Sequence, residues 1–197
     1  REGANNLING CLDDVTGKAV LLICEDPALG WYDDKAPAIV AERLQEMGAR
    51  VNILDVGTPQ NDPVDEIQTA MASMDEVIFF SRIGDQDRFD ANNNLPHSTM
   101  SYARTASMLG GAYGRLNHHA MLMMKDAINE LMFNADHIKV TCPQGTHFEG
   151  SPANTKAEGS EVVVSRFPMG VPQPLLASGF KGEVKLFRYL TPTGSKV

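Results

Sequence analysis

Residues 19–55 read AVLLICEDPALGWYDDKAPAIVAERLQEMGARVNILD, which places a helical pattern between two apolar runs. The first run, 19–24, is continuously apolar, as is typical of a strand that is buried on both faces of a parallel sheet. Apolar residues then recur at helical spacing from Ile39 to Met47, and Gly48 ends that pattern. A second strand follows at 50–55. This strand–helix–strand order predicts a βαβ unit with a right-handed crossover.

The same alternation of strands and helices continues along the chain. A helix is predicted to begin at Asp62, and Glu76–Phe80 is predicted to be the third strand. Further on, the pattern predicts a short helix over Ser98–Leu109, a longer one over Ala120–Met132 and another strand of the same sheet at Ile138–Cys142. We therefore predict an α/β fold, a Rossmann-like parallel sheet with flanking helices.

The character of the sequence changes after Pro143. The runs 161–165 and 183–190 are typical of strands, and no helical pattern separates them. They predict a small antiparallel β extension at the C-terminus. The expected organisation is a parallel α/β domain at 1–150, with residues 151–197 as a β extension packed on the same domain.

The charge balance narrows the classes of partner. The chain has 17 basic and 25 acidic residues, a net charge of −8 and a pI near 5.0. Nucleic acids and anionic membrane surfaces attract Lys and Arg, so we expect neither as a partner. The N-terminus is polar and unlike a signal peptide, and no apolar run approaches the ~20 residues of a membrane span. These features predict a cytoplasmic protein.

Sequence motifs for nucleotide binding are missing. The turn after the first strand reads CEDPALGWYDD, which has a single glycine, Gly30, and several carboxylates that would repel a phosphate. The glycine cluster at 110–114 lacks the lysine of a phosphate-binding loop. We therefore expect no cofactor.

Catalytic and metal-binding patterns are also weak. His118 and His119 are adjacent, and neighbouring side chains on a helix or strand point apart, so the pair is a poor metal site. Cys24 precedes Glu25 and Asp26, whose charges are expected to raise the pKa of a thiol and to disfavour the thiolate. The sequence predicts no catalytic residue and no metal ligand.

Two places could bind a ligand. An extended peptide could add along an edge strand, Val162–Arg166 or Glu183–Leu190, through backbone hydrogen bonds. A ligand could instead occupy the crevice at the carboxyl ends of the parallel strands, where open α/β sheets bind ligands. The candidate residues of the crevice are Trp31, Tyr32, Arg82, Arg88 and Phe89, and those of the edge strands are Val162, Val164, Arg166, Lys185 and Phe187.

Two segments carry a resemblance to a known family. They read VTCPQGTHFEG at 140–150 and RFPMGVP at 166–172. They resemble the N-terminal domain of M29-type metallo-aminopeptidases and the related dihydroxypyridine dioxygenases, and the resemblance covers nearly the whole chain. The chain departs from the family pattern at Val171, where the family has a glutamate. The matching positions are Thr141, Pro143, Gly145, Thr146, Phe167, Pro168 and Gly170.

The resemblance implies that this chain has the fold of the family's N-terminal domain but lacks the family's catalytic metal site. The metal ligands of that family lie in a C-terminal domain, and none of their positions falls within the 197 residues. A truncated relative of this kind is similar to the peptide-binding accessory proteins of crocagin-type pathways. The expected function is that of a non-catalytic binding protein, not an enzyme, which holds a peptide or a partner enzyme, with ribosomal peptide natural-product biosynthesis as a setting.

Other functions remain open at the level of sequence. The chain could be the N-terminal part of an aminopeptidase or ring-cleaving dioxygenase, or a structural subunit of a larger complex. A new active site built from Cys24, His118 and His119 is a further alternative. A homo-oligomer is compatible with the sequence, and the proline-punctuated segment Phe167–Leu176 is a candidate docking arm.

Overall fold

The protein has an α/β fold with one parallel and one antiparallel sheet. A computed structural model describes residues 1–58, 64–85, 95–143, 145–150, 164–168 and 181–183. The helices in these ranges are α1 (Glu2–Cys11), α2 (Lys35–Glu46), α3 (Val64–Ala72), α4 (Ala106–Gly110), α5 (Ala112–Arg115) and α6 (His118–Phe133). The strands are β1 (Ala19–Glu25), β2 (Arg50–Val56), β3 (Glu76–Phe80), β4 (Ser98–Ser101), β5 (Ile138–Thr141), β6 (His147–Gly150), β7 (Val164–Phe167) and β8 (Lys181–Glu183).

Five strands form the parallel sheet in the order β2-β1-β3-β4-β7. The apolar run of β1 lies in its interior, with Val20, Leu22 and Ile23 fully buried. The crossovers from β1 to β2 and from β2 to β3 run in opposite directions, so right-handed connections place α2 and α3 on opposite faces. A reversal of this kind opens a crevice between the carboxyl ends of β1 and β3.

A layer of short helices is held together by close backbone approaches. Helices α1, α4 and α5 contact one another. A Cβ atom on Gly3 would lie 1.8 Å from the carbonyl oxygen of Leu109, and one on Gly114 would lie 2.2 Å from the same atom. Helix α1 was not predicted, because its sequence, rich in Gly and Asn, has low helix propensity. Its formation depends on packing, with Leu7 and Ile8 buried.

Three assignments made from the sequence were wrong, one of a helix and two of the partners of a strand. The helix expected over Ser98–Leu109 is strand β4 followed by the short helix α4, because a buried parallel strand of sequence STMS shows no alternation that marks it. The run 161–165 was assigned to an antiparallel extension, but β7 pairs in parallel with β4. Conversely, β5 does not join the parallel sheet.

The antiparallel sheet has the order β5-β6-β8. A tight turn joins its first two strands, in which the Cys142 amide donates to the Thr146 carbonyl over 3.0 Å and Gly145 has a φ of 102°. Because this turn reverses the chain, β5 pairs with β6. The residues expected to form one C-terminal extension therefore supply β7 to the parallel sheet and β8 to the antiparallel one.

The chain divides into two compact units. One comprises Arg1–Met124 with Ser160–Gly170, and the other comprises Lys125–Gly159 with Val171–Val197. The parallel sheet belongs to the first unit and the antiparallel sheet to the second. None of the helices in the described ranges has the length and apolar character needed to cross a membrane.

Candidate ligand pocket

A pocket of about 590 Å³ lies in the first unit, beside the carboxyl ends of β1, β3 and β4. Its volume falls within the ~300–1,000 Å³ that is usual for small-molecule sites. The lining comes from the loop after β1, the turn after β3, the end of β4, and helices α4 and α5. We call it the Trp31 pocket; its lining residues are Trp31, Tyr32, Arg82, Met100, Tyr102, Arg104, Met108 and Tyr113.

Local turn chemistry brings Trp31 and Tyr32 to the pocket. The Asp26 carboxylate accepts a hydrogen bond from the Ala28 amide over 2.9 Å, and Gly30 supplies the left-handed residue that ends this turn. The buried Tyr32 then donates its hydroxyl to the Ser101 carbonyl over 3.0 Å. The loop after β1 is thereby fixed to the end of β4.

One carboxylate ties the two sides of the pocket together. Asp33 accepts from the Ala36 amide over 2.7 Å and from the Ala106 amide over 2.8 Å, so it serves the first turns of both α2 and α4. Its own amide donates to the Arg104 carbonyl over 3.0 Å. These bonds hold Arg104 next to the loop that carries Trp31.

Arg82 is clamped by a buried acid. The Glu25 side chain is fully buried; its oxygens lie 2.7 Å from Nη2 and 2.9 Å from Nε of Arg82. The Arg82 amide also donates to Glu25 over 2.9 Å. The hydrogen bond with Glu25 is the main cause that raises the pKa of Arg82 above its usual value. Because Glu25 ends β1 and Arg82 follows β3, the pair joins the two strands on either side of the crevice.

Two guanidinium groups lie against the indole of Trp31. The Cζ atom of Arg82 is 4.6 Å from the ring centroid, and that of Arg104 is 5.6 Å away. Both distances are within the range of cation–π attraction. In the described ranges no acidic side chain forms an ion pair with Arg104, whereas Arg82 pairs with Glu25.

The pocket concentrates the aromatic residues that favour recognition. The sequence has one Trp and four Tyr, and the pocket contains the Trp and three of the Tyr. Such side chains supply large contact areas, and a polar group on each fixes orientation. A distribution this uneven indicates a binding site more than ordinary core packing.

The structure brings together three of the residues predicted for the crevice: Trp31, Tyr32 and Arg82. Five lining residues were missed because the segment that carries most of them was assigned to a helix. Had β4 been recognised, Met100 near its carboxyl end and Tyr102 just after it would have been candidates, since the carboxyl ends of parallel strands line the crevice. The missed residues are Met100, Tyr102, Arg104, Met108 and Tyr113.

The remaining predicted residues do not enter this pocket or are not described. Val164 and Arg166 belong to β7, the last strand in the order of the parallel sheet. Only the first residue of the run Glu183–Leu190 falls in a described strand, β8. The other predicted residues lie outside the described ranges: Arg88, Phe89, Val162, Lys185 and Phe187.

The two adjacent histidines make separate contacts where α6 begins. Nδ1 of the buried His118 lies 2.8 Å from the Pro168 carbonyl, and its ring centroid is 5.7 Å from that of Phe167. Nε2 of His119 lies 3.2 Å from the Asn9 carbonyl. Both side chains therefore connect α6 to neighbouring segments of the first unit.

The pKa of the Cys24 thiol is raised, as expected, but the main cause is burial and not the charge of its neighbours in the chain. Burial raises the pKa of its thiol to about 12, and the charge of Asp55, its partner across β2, adds to the effect. Glu25, which was expected to be a cause, instead pairs with Arg82. Among the described residues, no three His, Cys, Asp or Glu side chains are grouped to hold a metal ion, so Cys24, His118 and His119 form no such centre.

The segments that carry the family resemblance occupy turns and strand ends. Thr141 ends β5, and Pro143, Gly145 and Thr146 lie between β5 and β6. Phe167 ends β7, and a cis peptide bond joins it to Pro168. Gly170 and Val171 lie outside the described ranges. No family model matches the chain, and no curated protein is detectably similar to it in sequence.

Proposed function

We propose that this protein is a non-catalytic binding protein that holds a peptide in the Trp31 pocket. The observation that carries the proposal is the convergence of Arg82, Arg104 and four aromatic side chains at the carboxyl ends of the parallel strands. The lining among described residues has no His, Cys, Lys, Ser or carboxylate, the groups that most often act as nucleophile or general base. Its chemistry suits recognition better than turnover.

The size and walls of the pocket favour one or two residues of a peptide. A volume of about 590 Å³ accommodates a ligand of a few hundred daltons. Met100 and Met108 add flexible apolar surface, which adapts to side chains of different shape. The resemblance to peptide-processing enzymes agrees with a peptide ligand, and a role in ribosomal peptide biosynthesis is the setting that we propose for it.

Fluorescence of Trp31 provides a direct test, because it is the only tryptophan in the sequence. Its side chain is 47% exposed, so a ligand in the pocket should change its emission. We expect acetyl-Ala-Ala-Phe to produce a saturable change with a micromolar dissociation constant. The same constant should be obtained from isothermal titration, which does not depend on the indole.

A matched pair of variants assigns the binding to the pocket. Tyr113→Ala removes a lining ring and should weaken binding about tenfold, a loss typical of an interface residue. Leu116→Ala removes a side chain that is also exposed but lies outside the lining, and it should leave binding unchanged. Absence of any binding would refute the proposal. Binding that survives Tyr113→Ala intact would move the site to the edge strand β7.

A further inference from the structure

We infer that the Trp31 pocket recognises a carboxylate attached to an aromatic or large apolar group, with Arg104 as the residue that contacts the carboxylate. This inference rests on the proposed function, since it concerns the same pocket. For a peptide ligand it means that the C-terminal residue, with its free carboxylate, enters the pocket.

The first step in the argument is the balance of charge in the pocket. Glu25 neutralises Arg82, whereas no acid in the described ranges pairs with Arg104. The nearby Asp33 carboxylate is taken up by the Ala36 and Ala106 amides, so Arg104 carries a positive charge that no salt bridge among the described residues neutralises. The net charge of −8 repels anions from the protein as a whole, so the positive charge of Arg104 makes the pocket a local site where an anion can bind. A single positive charge matches a monoanion better than a dianion.

The second step is the number of donors that remain. A guanidinium has five N–H groups. Glu25 takes the Nε–H and one N–H on Nη2 of Arg82, which leaves three without a partner among the described residues. The side chain of Arg104 has no hydrogen-bond partner among the described residues. Both guanidinium groups lie within 6 Å of the Trp31 centroid and both side chains line the pocket, so a ligand in the pocket has donors from two arginines available.

The third step concerns the rest of the ligand. Around these donors stand the rings of Trp31, Tyr102 and Tyr113 and the thioethers of Met100 and Met108. Surfaces of this kind favour apolar and aromatic groups over sugars or other polar groups. A ligand that satisfies both parts of the pocket is an apolar acid. The C-terminal residue of a peptide and a free aromatic acid share this chemistry.

The test compares matched probes by isothermal titration on the full chain. The probes are acetyl-Ala-Ala-Phe with a free carboxylate, the same peptide with a C-terminal amide, N-acetylphenylalanine and phenyl phosphate. We expect the acid to bind roughly 10- to 100-fold more tightly than the amide, as for a hydrogen bond between charged groups. Phenyl phosphate should bind more weakly than N-acetylphenylalanine.

Substitutions of two arginines test which residue causes the preference for the acid over the amide. Arg104→Gln should reduce the ratio of acid to amide affinity to near one, and Arg104→Lys should restore part of it because the charge returns. Arg50→Gln is the control, since Arg50 is exposed at the start of β2, at the opposite end of the sheet. It should leave the ratio unchanged.

The outcomes separate this inference from the proposed function. Equal affinity for acid and amide in the unmodified protein would overturn the inference and leave peptide binding intact. A preference that persists in Arg104→Gln would overturn the assignment to Arg104, and tighter binding of phenyl phosphate would overturn the choice of a carboxylate. Binding of N-acetylphenylalanine without either peptide would support the inference and refute the peptide proposal. If no probe binds, both fail.

Discussion

Burial distinguishes two carboxylates that both pair with arginine. Glu25 is fully buried and holds Arg82, whereas Glu46 lies at the surface with Arg1 and Arg43. Glu46 has its pKa lowered to about 2, chiefly by the hydrogen bond from Arg1. A lowered pKa at an exposed site is screened by solvent and contributes little to stability. The buried pair joins β1 to β3 and should matter more.

We therefore expect Glu25→Gln to lower the free energy of unfolding by about 1–3 kcal/mol, because the guanidinium and amide of Arg82 lose a charged acceptor in a buried place. Denaturation by urea, followed by circular dichroism, measures the change. The matched control is Glu46→Gln, which should leave the midpoint unchanged at moderate salt. Equal effects of the two substitutions would contradict this explanation.

At the scale of the residue, the sequence identified part of the site. Trp31, Tyr32 and Arg82 were predicted because they follow strands that were recognised from their apolar runs. Arg104 was not predicted, since its position depends on β4 and on the bonds made by Asp33. Contacts between residues distant in the chain leave no local pattern, so the placement of both Arg82 and Arg104 on the Trp31 indole could not be read from the sequence.

At the scale of the element, the absence of a side chain at Gly114 allows α4 and α5 to approach closely. Gly114 in α5 faces the carbonyl oxygen of Leu109, and a Cβ atom there would lie only 2.2 Å from it. Gly110 in α4 has open space around its position for a Cβ. The two residues thus offer the same substitution in neighbouring helices of the same unit.

We expect Gly114→Ala to destabilise the protein by about 1–3 kcal/mol, because backbone atoms must move to admit the methyl group. Gly110→Ala should be neutral or should stabilise it by up to about 1 kcal/mol, since alanine has the higher helix propensity. Thermal unfolding of both variants measures the difference. A midpoint that falls equally in both would show that the close approach is unimportant.

The limits of sequence reasoning also differ between elements. Strands β1, β2 and β3 were predicted within one residue, because apolar runs and the helices between them have distinct periods. Strand β7 was recognised as a strand, but its neighbour was assigned wrongly. A period of two residues identifies a strand and gives no information on which strand it pairs with, or in which direction.

At the scale of the whole molecule, one late segment completes the parallel sheet. Phe167 ends β7; its side chain is fully buried and its carbonyl accepts from the Tyr102 amide over 2.7 Å. Its ring also contacts His118 at the start of α6. Phe167 thus links β7 to the residue after β4 through its carbonyl, and to α6 through its ring.

Phe167→Ala should lower the free energy of unfolding by about 3–5 kcal/mol, as expected for a large cavity in a core. Phe167→Leu, which retains most of the volume, should cost less than about 1.5 kcal/mol. Met123→Ala is the control, since that side chain is 74% exposed in the same unit. Urea titration monitored by Trp31 fluorescence reports directly on this unit. A small decrease in the free energy of unfolding for Phe167→Ala would indicate that β7 contributes little to the stability of this unit.

The position of β7 in the chain also has a consequence for synthesis on the ribosome. About 60 residues separate the end of β4 from the start of β7. At an elongation rate of about 5–20 residues per second, roughly 3–12 seconds pass between the synthesis of β4 and the synthesis of β7, which pairs with its edge. During this interval the nascent chain presents an open strand edge, the kind of surface that pairs with other chains. Chaperone capture, and slow codons between these two strands, would therefore affect the yield of this protein more than its final stability.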